Sequence, residues 1–123
     1  MPLDSYQKSL ICARVALAKK AFDPVILEVA GITALTDYFV IVSAASSRQV
    51  QTIAQAIEEE LARRGFTPIG MEGVSEGRWT LMDYNDVVVH VFLKPVREFY
   101  DLERLWFEAR RVEEAEVLST SSP

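Results

Sequence analysis

The stretch Gly77-Arg-Trp-Thr-Leu-Met-Asp-Tyr-Asn-Asp-Val-Val-Val-His-Val-Phe-Leu93 reads as a β-hairpin entered through a glycine-bearing loop. Trp79 to Tyr84 and Val87 to Leu93 are rich in β-branched and aromatic residues. They meet at Asn85-Asp86, a pair that tolerates the positive φ of a tight turn. Period-two alternation puts Trp79, Leu81 and Asp83 on one face of the first strand and Thr80, Met82 and Tyr84 on the other. Both faces carry large apolar groups, so at least one must lie under a helix or a partner. Lys94-Pro95 stops the second strand. Arg97 to about Arg111 then has helical spacing, with Phe99, Leu102, Leu105 and Trp106 turned toward the sheet and Tyr100 off that stripe.

Upstream, Tyr6 to Phe22 carries two adjacent apolar ridges at helical spacing, closed by Asp23-Pro24. Val25 to Ala30 reads as a strand ending at Gly31. Tyr38 to Ala44 is apolar on both faces, as in an interior strand of a covered sheet. Ser46 is placed to cap the next helix, with Gln49 reaching back to it as a capping box. Val50, Ile53, Ala54, Ile57 and Leu61 mark that helix's buried face, and Gly65 its end. Phe66 to Met71 reads as a short strand, so that strand, helix and strand across 38–71 suggest a right-handed parallel crossover. The whole predicts one α/β domain over residues 1–112, with a five-stranded mixed sheet and flanking helices, and a tail over 113–123 that frays.

The chain has 123 residues, half of them hydrophobic. That is enough for one domain burying roughly two-thirds of its unfolded surface. A single cysteine, Cys12, leaves no internal disulfide framework and suits a buried helix position. With one cysteine and one histidine, a zinc site from those ligands would need a second chain. Val87 to Leu93, the longest apolar run, is too short to span a bilayer, so no membrane association is expected. No basic segment leads into an apolar run at the start, which makes the cytoplasm the expected compartment. The net charge of -5 argues against holding nucleic acid through its phosphates. It fits a basic partner, and it equally serves solubility.

No catalytic set emerges from the motifs. Ser46-Ser47-Arg48 after an interior strand has the form of an anion site at a helix N-terminus, and also of an ordinary cap. His90 sits among valines with Asp83 and Asp86 across the turn, yet no nucleophile accompanies it; a hydrogen-bonded structural histidine is expected. Arg78, Trp79, Leu81, Met82, Asp83, Tyr84 and Asp86, with Tyr100 from the last helix, concentrate the residue types that dominate interface hot spots.

Asp37-Tyr-Phe-Val40, Ser46-Ser-Arg48, Met71-Glu-Gly73, Gly77-Arg-Trp79, Asp83-Tyr84, Asp86-Val87, Val89-His-Val91 and Phe99-Tyr-Asp-Leu-Glu-Arg-Leu-Trp106 occur in that order. Together they closely resemble the ribosomal silencing factor family, also called Iojap-like. The resemblance implies a non-enzymatic module, without cofactor or metal, that binds the large ribosomal subunit at its protein fourteen. Bound there it would block joining of the small subunit and repress translation; free, it would form a homodimer. The eight residues from Arg78 to Tyr100 named above become the expected partner-binding set. The family's fold is similar to that of nucleotidyltransferases, whose site needs a Gly-Ser helix start and metal-binding aspartates. Here Ala45-Ser46-Ser47 and a strand at 66–71 without an Asp-x-Asp stand instead. A nucleotide-dependent transferase using Ser46, Ser47 and Arg48 is the competing reading. Asn85 stands where the family's turn usually has glycine, and asparagine also tolerates that geometry.

Overall fold

The computed structural model describes residues 3–113 and 116–117. The chain runs α1 (Ser5–Ala18), β1 (Phe22–Glu28), β2 (Tyr38–Ala44), α2 (Ser47–Arg63), β3 (Gly70–Glu72), β4 (Trp79–Asp83), β5 (Val87–Leu93), α3 (Lys94–Tyr100), α4 (Leu102–Leu105) and β6 (Arg110–Arg111). The strands form one sheet in the order β3-β4-β5-β2-β1-β6. Only the central pair β2–β5 is parallel; the other neighbours are antiparallel.

The mixed α/β architecture is the expected one, but the sheet has six strands where five were predicted. The extra strand, β6, lies inside the stretch read as one long helix over 97–111. That helix is broken at Asp101, which adopts a left-handed φ of 48°. A short polar side chain tolerates this geometry, and the reversal frees the chain to return along β1. The strand expected at 66–71 is confined to Gly70–Glu72. It runs in the same direction as β2, as the crossover pattern suggested, but with two strands, the hairpin β4–β5, between them.

At the other end, α1 stops at Ala18, before the predicted Phe22. Lys20 turns the chain with a φ of 71°. Pro24 therefore lies within β1, where a register irregularity between Phe22 and Val25 accommodates a residue with no N–H to give. The cap of α2 forms as read, Ser46 Oγ accepting from the Gln49 N–H at 3.1 Å. The return bond shifts by one residue: Gln49 Oε1 accepts from the Ala45 N–H at 2.7 Å, not from Ser46.

Helices α1 and α2 cover one face of the sheet. Val40, Val42, Val87, Val89, Val91 and Met82 pack there against Ala13, Ala16, Ile53, Ile57 and Leu61, all essentially without solvent contact. Cys12 is buried with them, and burial pushes its thiol up to about 12, so it is an inert core residue. The opposite face has a smaller core of Leu27, Val29, Ile41, Phe92, Val96 and Ala109. Leu102 and Trp106 cover part of it. Glu116 and Val117, assigned by the sequence to a fraying tail, are seated against α1. Val117 is buried, and Arg14 Nε donates to its carbonyl at 2.9 Å. The rest of the tail reading lies outside the described residues.

Candidate partner-binding site

Strand β4 divides its side chains between the two faces. Thr80 and Met82 point under the helices and are fully buried, while Trp79, Leu81 and Asp83 remain half-buried on the other side. Tyr84, just past the strand, belongs to the helix-covered core. Its hydroxyl has no hydrogen-bond partner among the described residues, and burial raises its pKa. Met82 and Tyr84 therefore leave the expected partner-binding set: alternation carries both into the core, and a partner could reach them only by displacing a helix.

The remaining residues do converge. Trp79 Nε1–H donates to His90 Nδ1 at 3.1 Å across the β4–β5 pair. The indole stacks on Phe92 with ring centres 4.8 Å apart and meets Tyr100 of α3, also at 4.8 Å. His90 lies edge-on to Phe39 at 5.4 Å, and Phe39 meets Trp106 at 5.2 Å. Such offset and tilted pairs are the favourable arrangements of aromatic quadrupoles. The result is an aromatic row, Tyr100–Trp79–His90–Phe39–Trp106, along the less covered face. Half-buried Leu81 and Val88 belong to the same face.

His90 behaves as the structural histidine expected, but its partner is Trp79 rather than either aspartate. Burial disfavours the imidazolium and draws its pKa down to about 4. The ring is therefore neutral near pH 7. Because Nδ1 accepts from the indole, the proton resides on Nε2, which has no partner among the described residues.

The two aspartates of the turn are separated in role. Asp83 Oδ1 accepts from the Asn85 N–H at 2.8 Å, and this bond stabilises Asn85 at a φ of 75°. Asp86 instead forms an ion pair with Lys8 of α1, at 2.9 and 3.0 Å. Lys8 is itself buried, with its ammonium 4.0 Å from the Phe66 ring centre. Asp86 thus anchors the hairpin tip to α1 and is not free to attract a partner. Lys8 escaped the sequence reading because a lysine on a helix normally carries its ammonium to solvent.

Two glycines shape the loop into β4. A Cβ on Gly73 would stand 2.0 Å from the Trp79 carbonyl oxygen. One on Gly77 would stand 2.7 Å from the Ser47 carbonyl oxygen, at the start of α2, and both residues have positive φ. The Ser46-Ser47-Arg48 turn is accordingly a packing junction for the loop that delivers Trp79. Among the described residues no group of three or more His, Cys, Asp or Glu side chains could hold a metal ion.

The last segment departs most from its reading. Phe99 and Leu105, predicted to face the sheet, are 80% and 72% exposed, and Phe107 is 78% exposed. Arg97, in contrast, is buried. It donates to the Asp23 carbonyl at 2.6 Å, to Ser43 Oγ at 2.8 Å and to Glu103 at 3.0 Å. This pairing of α3 with α4 across Asp101 turns Phe99 and Leu105 outward. Arg78 is exposed at the head of β4, and Tyr100 is half-exposed beside Trp79.

The architecture defines a small mixed-sheet α/β domain with one face closed by two helices and an aromatic row on the other. A crystal structure of a Chromobacterium violaceum protein superposes with a TM-score of 0.83 at 32% identity, covering 85% of this chain and 88% of that one. A second, from Bacillus halodurans, gives a TM-score of 0.74 at 38% identity, covering 84% and 93%. In sequence, the ribosomal silencing factor RsfS of Bacillus subtilis is 44% identical over 105 residues, 84% of this chain and 89% of that protein. The family model described as ribosomal silencing factor during starvation matches residues 2–123. The chain belongs to the ribosomal silencing factor family, and a ribosome-associated role in silencing translation comes with that membership.

Proposed function

We propose that this protein binds the large ribosomal subunit, at its protein fourteen, through the face that carries Trp79, Leu81 and Tyr100, with Arg78 and Asp83 at its rim. The observation that carries this reading is the partly covered aromatic and apolar surface on an otherwise well-packed domain. Large apolar groups left at the surface beside Trp, Tyr and Arg mark interaction sites. Family membership supplies the ribosome as the partner. A negative net charge, -5, complements the basic character of ribosomal proteins and speeds encounter without adding much affinity.

Silencing in this reading is steric and needs no chemistry. A 13.9 kDa domain is roughly 30 Å across, too large to fit between subunits in contact. Inhibition is then stoichiometric and reversed by dilution. In the cytoplasm a free homodimer would have to open, or leave this face exposed, before binding. The transferase reading gains no support from Ser46, whose hydroxyl is engaged as a helix cap.

Co-sedimentation with purified large subunits tests the proposal. Wild-type protein at low micromolar concentration should pellet with them one to one, and Leu81→Asp should not. If wild-type protein stays in the supernatant, or if inhibition of joining persists after its removal, the binding-and-blocking reading is wrong.

A further inference from the structure

We propose that His90 is the positioning residue of the partner-binding face: by accepting the Trp79 indole N–H, it fixes the ring so that a partner meets only apolar surface. The inference rests on the reading of Trp79 as a contact residue. An indole has one polar atom, its N–H donor, and here the 3.1 Å bond to His90 Nδ1 consumes it. Trp79 is the first residue of β4, directly after a loop with two positive-φ glycines, so the strand alone holds it weakly. Phe92 beneath and Tyr100 beside the ring limit its tilt. The hydrogen bond selects among the rotamers that these neighbours would still allow.

His90 itself is an unexpected choice for its position. It lies between Val89 and Val91 on a strand buried on both faces, cross-strand from Leu81 and beside Ile41 in β2. An aliphatic side chain would pack there without leaving an unpaired donor, whereas His90 Nε2 has no partner among the described residues. Among the described residues the one hydrogen bond of the imidazole ring is with Trp79. Neutrality is essential to it, because an imidazolium would set a proton on Nδ1 against the indole N–H. Burial secures the neutral form. The partner that fits is therefore an apolar slot that needs no acceptor for the indole, and Trp79 acts there as a shaped plate.

A mutant cycle read out as affinity for purified large subunits tests this, together with indole N–H exchange in the free protein. His90→Leu removes the acceptor and should weaken binding roughly fivefold, the size of one modest hydrogen bond. His90→Asn returns an acceptor oxygen near the Nδ1 position and should recover binding to within about twofold. In a Trp79→Phe background, which has no N–H, the same two changes should be without effect. Equal losses in both backgrounds, or wild-type affinity for His90→Leu, would overturn the proposal. By NMR, the wild-type Trp79 indole N–H, identified by its loss in Trp79→Phe, should exchange at least tenfold more slowly than free indole. Exchange at the free rate would sink the positioning role even if every leucine variant failed to fold. That measurement needs no ribosome, so it separates this inference from the docking reading, which falls instead if Leu81→Asp binds like wild type.

Discussion

Leu81 and Met82 are chain neighbours with similar side chains, and they meet opposite fates. Met82 lies under α2 in the face that α1 and α2 cover, without solvent contact. Leu81 lies half-buried on the other face, where among the described residues Leu102 and Trp106 provide partial cover. The closed face is aliphatic, built from valine, isoleucine and leucine meeting two helices. The partly open face is aromatic and joined by a hydrogen bond between Trp79 and His90. The first buries its side chains almost completely. The second keeps apolar surface in water, which a protein tolerates where that surface has another use.

The sharpest way to break this contrast is to cut each face at matched depth. Met82→Ala should cost about 3 kcal/mol of stability, as large-to-small changes in a packed core do, and denaturant titration checks it. If the loss is under 1 kcal/mol, the helix-covered face is not the main core.

The open face should betray itself in pH dependence. Folded His90 titrates near 4, against an ordinary value of 6.5. Between these, the unfolded chain takes up a proton that the folded chain refuses. The His90 contribution is therefore complete above about pH 6.5 and is lost as pH falls toward 4, by up to ~3 kcal/mol. Carboxylates add their own losses at lower pH, so the comparison to make is wild type against His90→Asn. The variant should show a flatter profile between pH 6.5 and 4, and parallel profiles would contradict the buried neutral histidine.

Asp86 and Asp83 sharpen the contrast at the turn. Asp86→Asn leaves Lys8 buried without its counter-ion and should destabilise by about 2 kcal/mol, less than a fully enclosed pair because Asp86 keeps some solvent. Asp83→Asn keeps an acceptor for the Asn85 N–H and should change stability by under ~0.5 kcal/mol. Thermal unfolding of the pair in parallel decides it; equal shifts would mean that Lys8 does not depend on Asp86. Leu81→Ala should cost about 1 kcal/mol, well below Met82→Ala, and be accompanied by weaker large-subunit binding. A loss matching that of Met82→Ala would show Leu81 to be core.

Much of this was legible along the chain because it depends on local rules. The hairpin followed from alternation and a turn pair that accepts positive φ; α2 followed from its cap and apolar spacing. The division of β4 into two faces was equally plain, since a period of two needs no knowledge of the rest. Which face would be covered was not, for both Leu81 and Met82 are apolar and only the docking of helices separates them. The break at Asp101 was hidden for a related reason. Residues 97–106 have helical spacing throughout, and what favours two short helices over one is the pairing of Arg97 with distant Asp23 and Ser43 and, across the break, with Glu103.

Residue order is enough to make this one α/β domain of the ribosomal silencing factor family, with a hairpin that concentrates aromatic and charged groups. Tertiary structure alone decided which of those groups remain available. It withdrew Met82 and Tyr84 into the core, tied Asp86 to Lys8, turned Phe99 and Leu105 outward, and joined Trp79 to His90. Propensity and periodicity act over a few residues, so they survive in a one-dimensional reading. Exposure, ion pairing and the pairing of rings depend on segments brought together from far along the chain, and those exist only once the sheet is assembled.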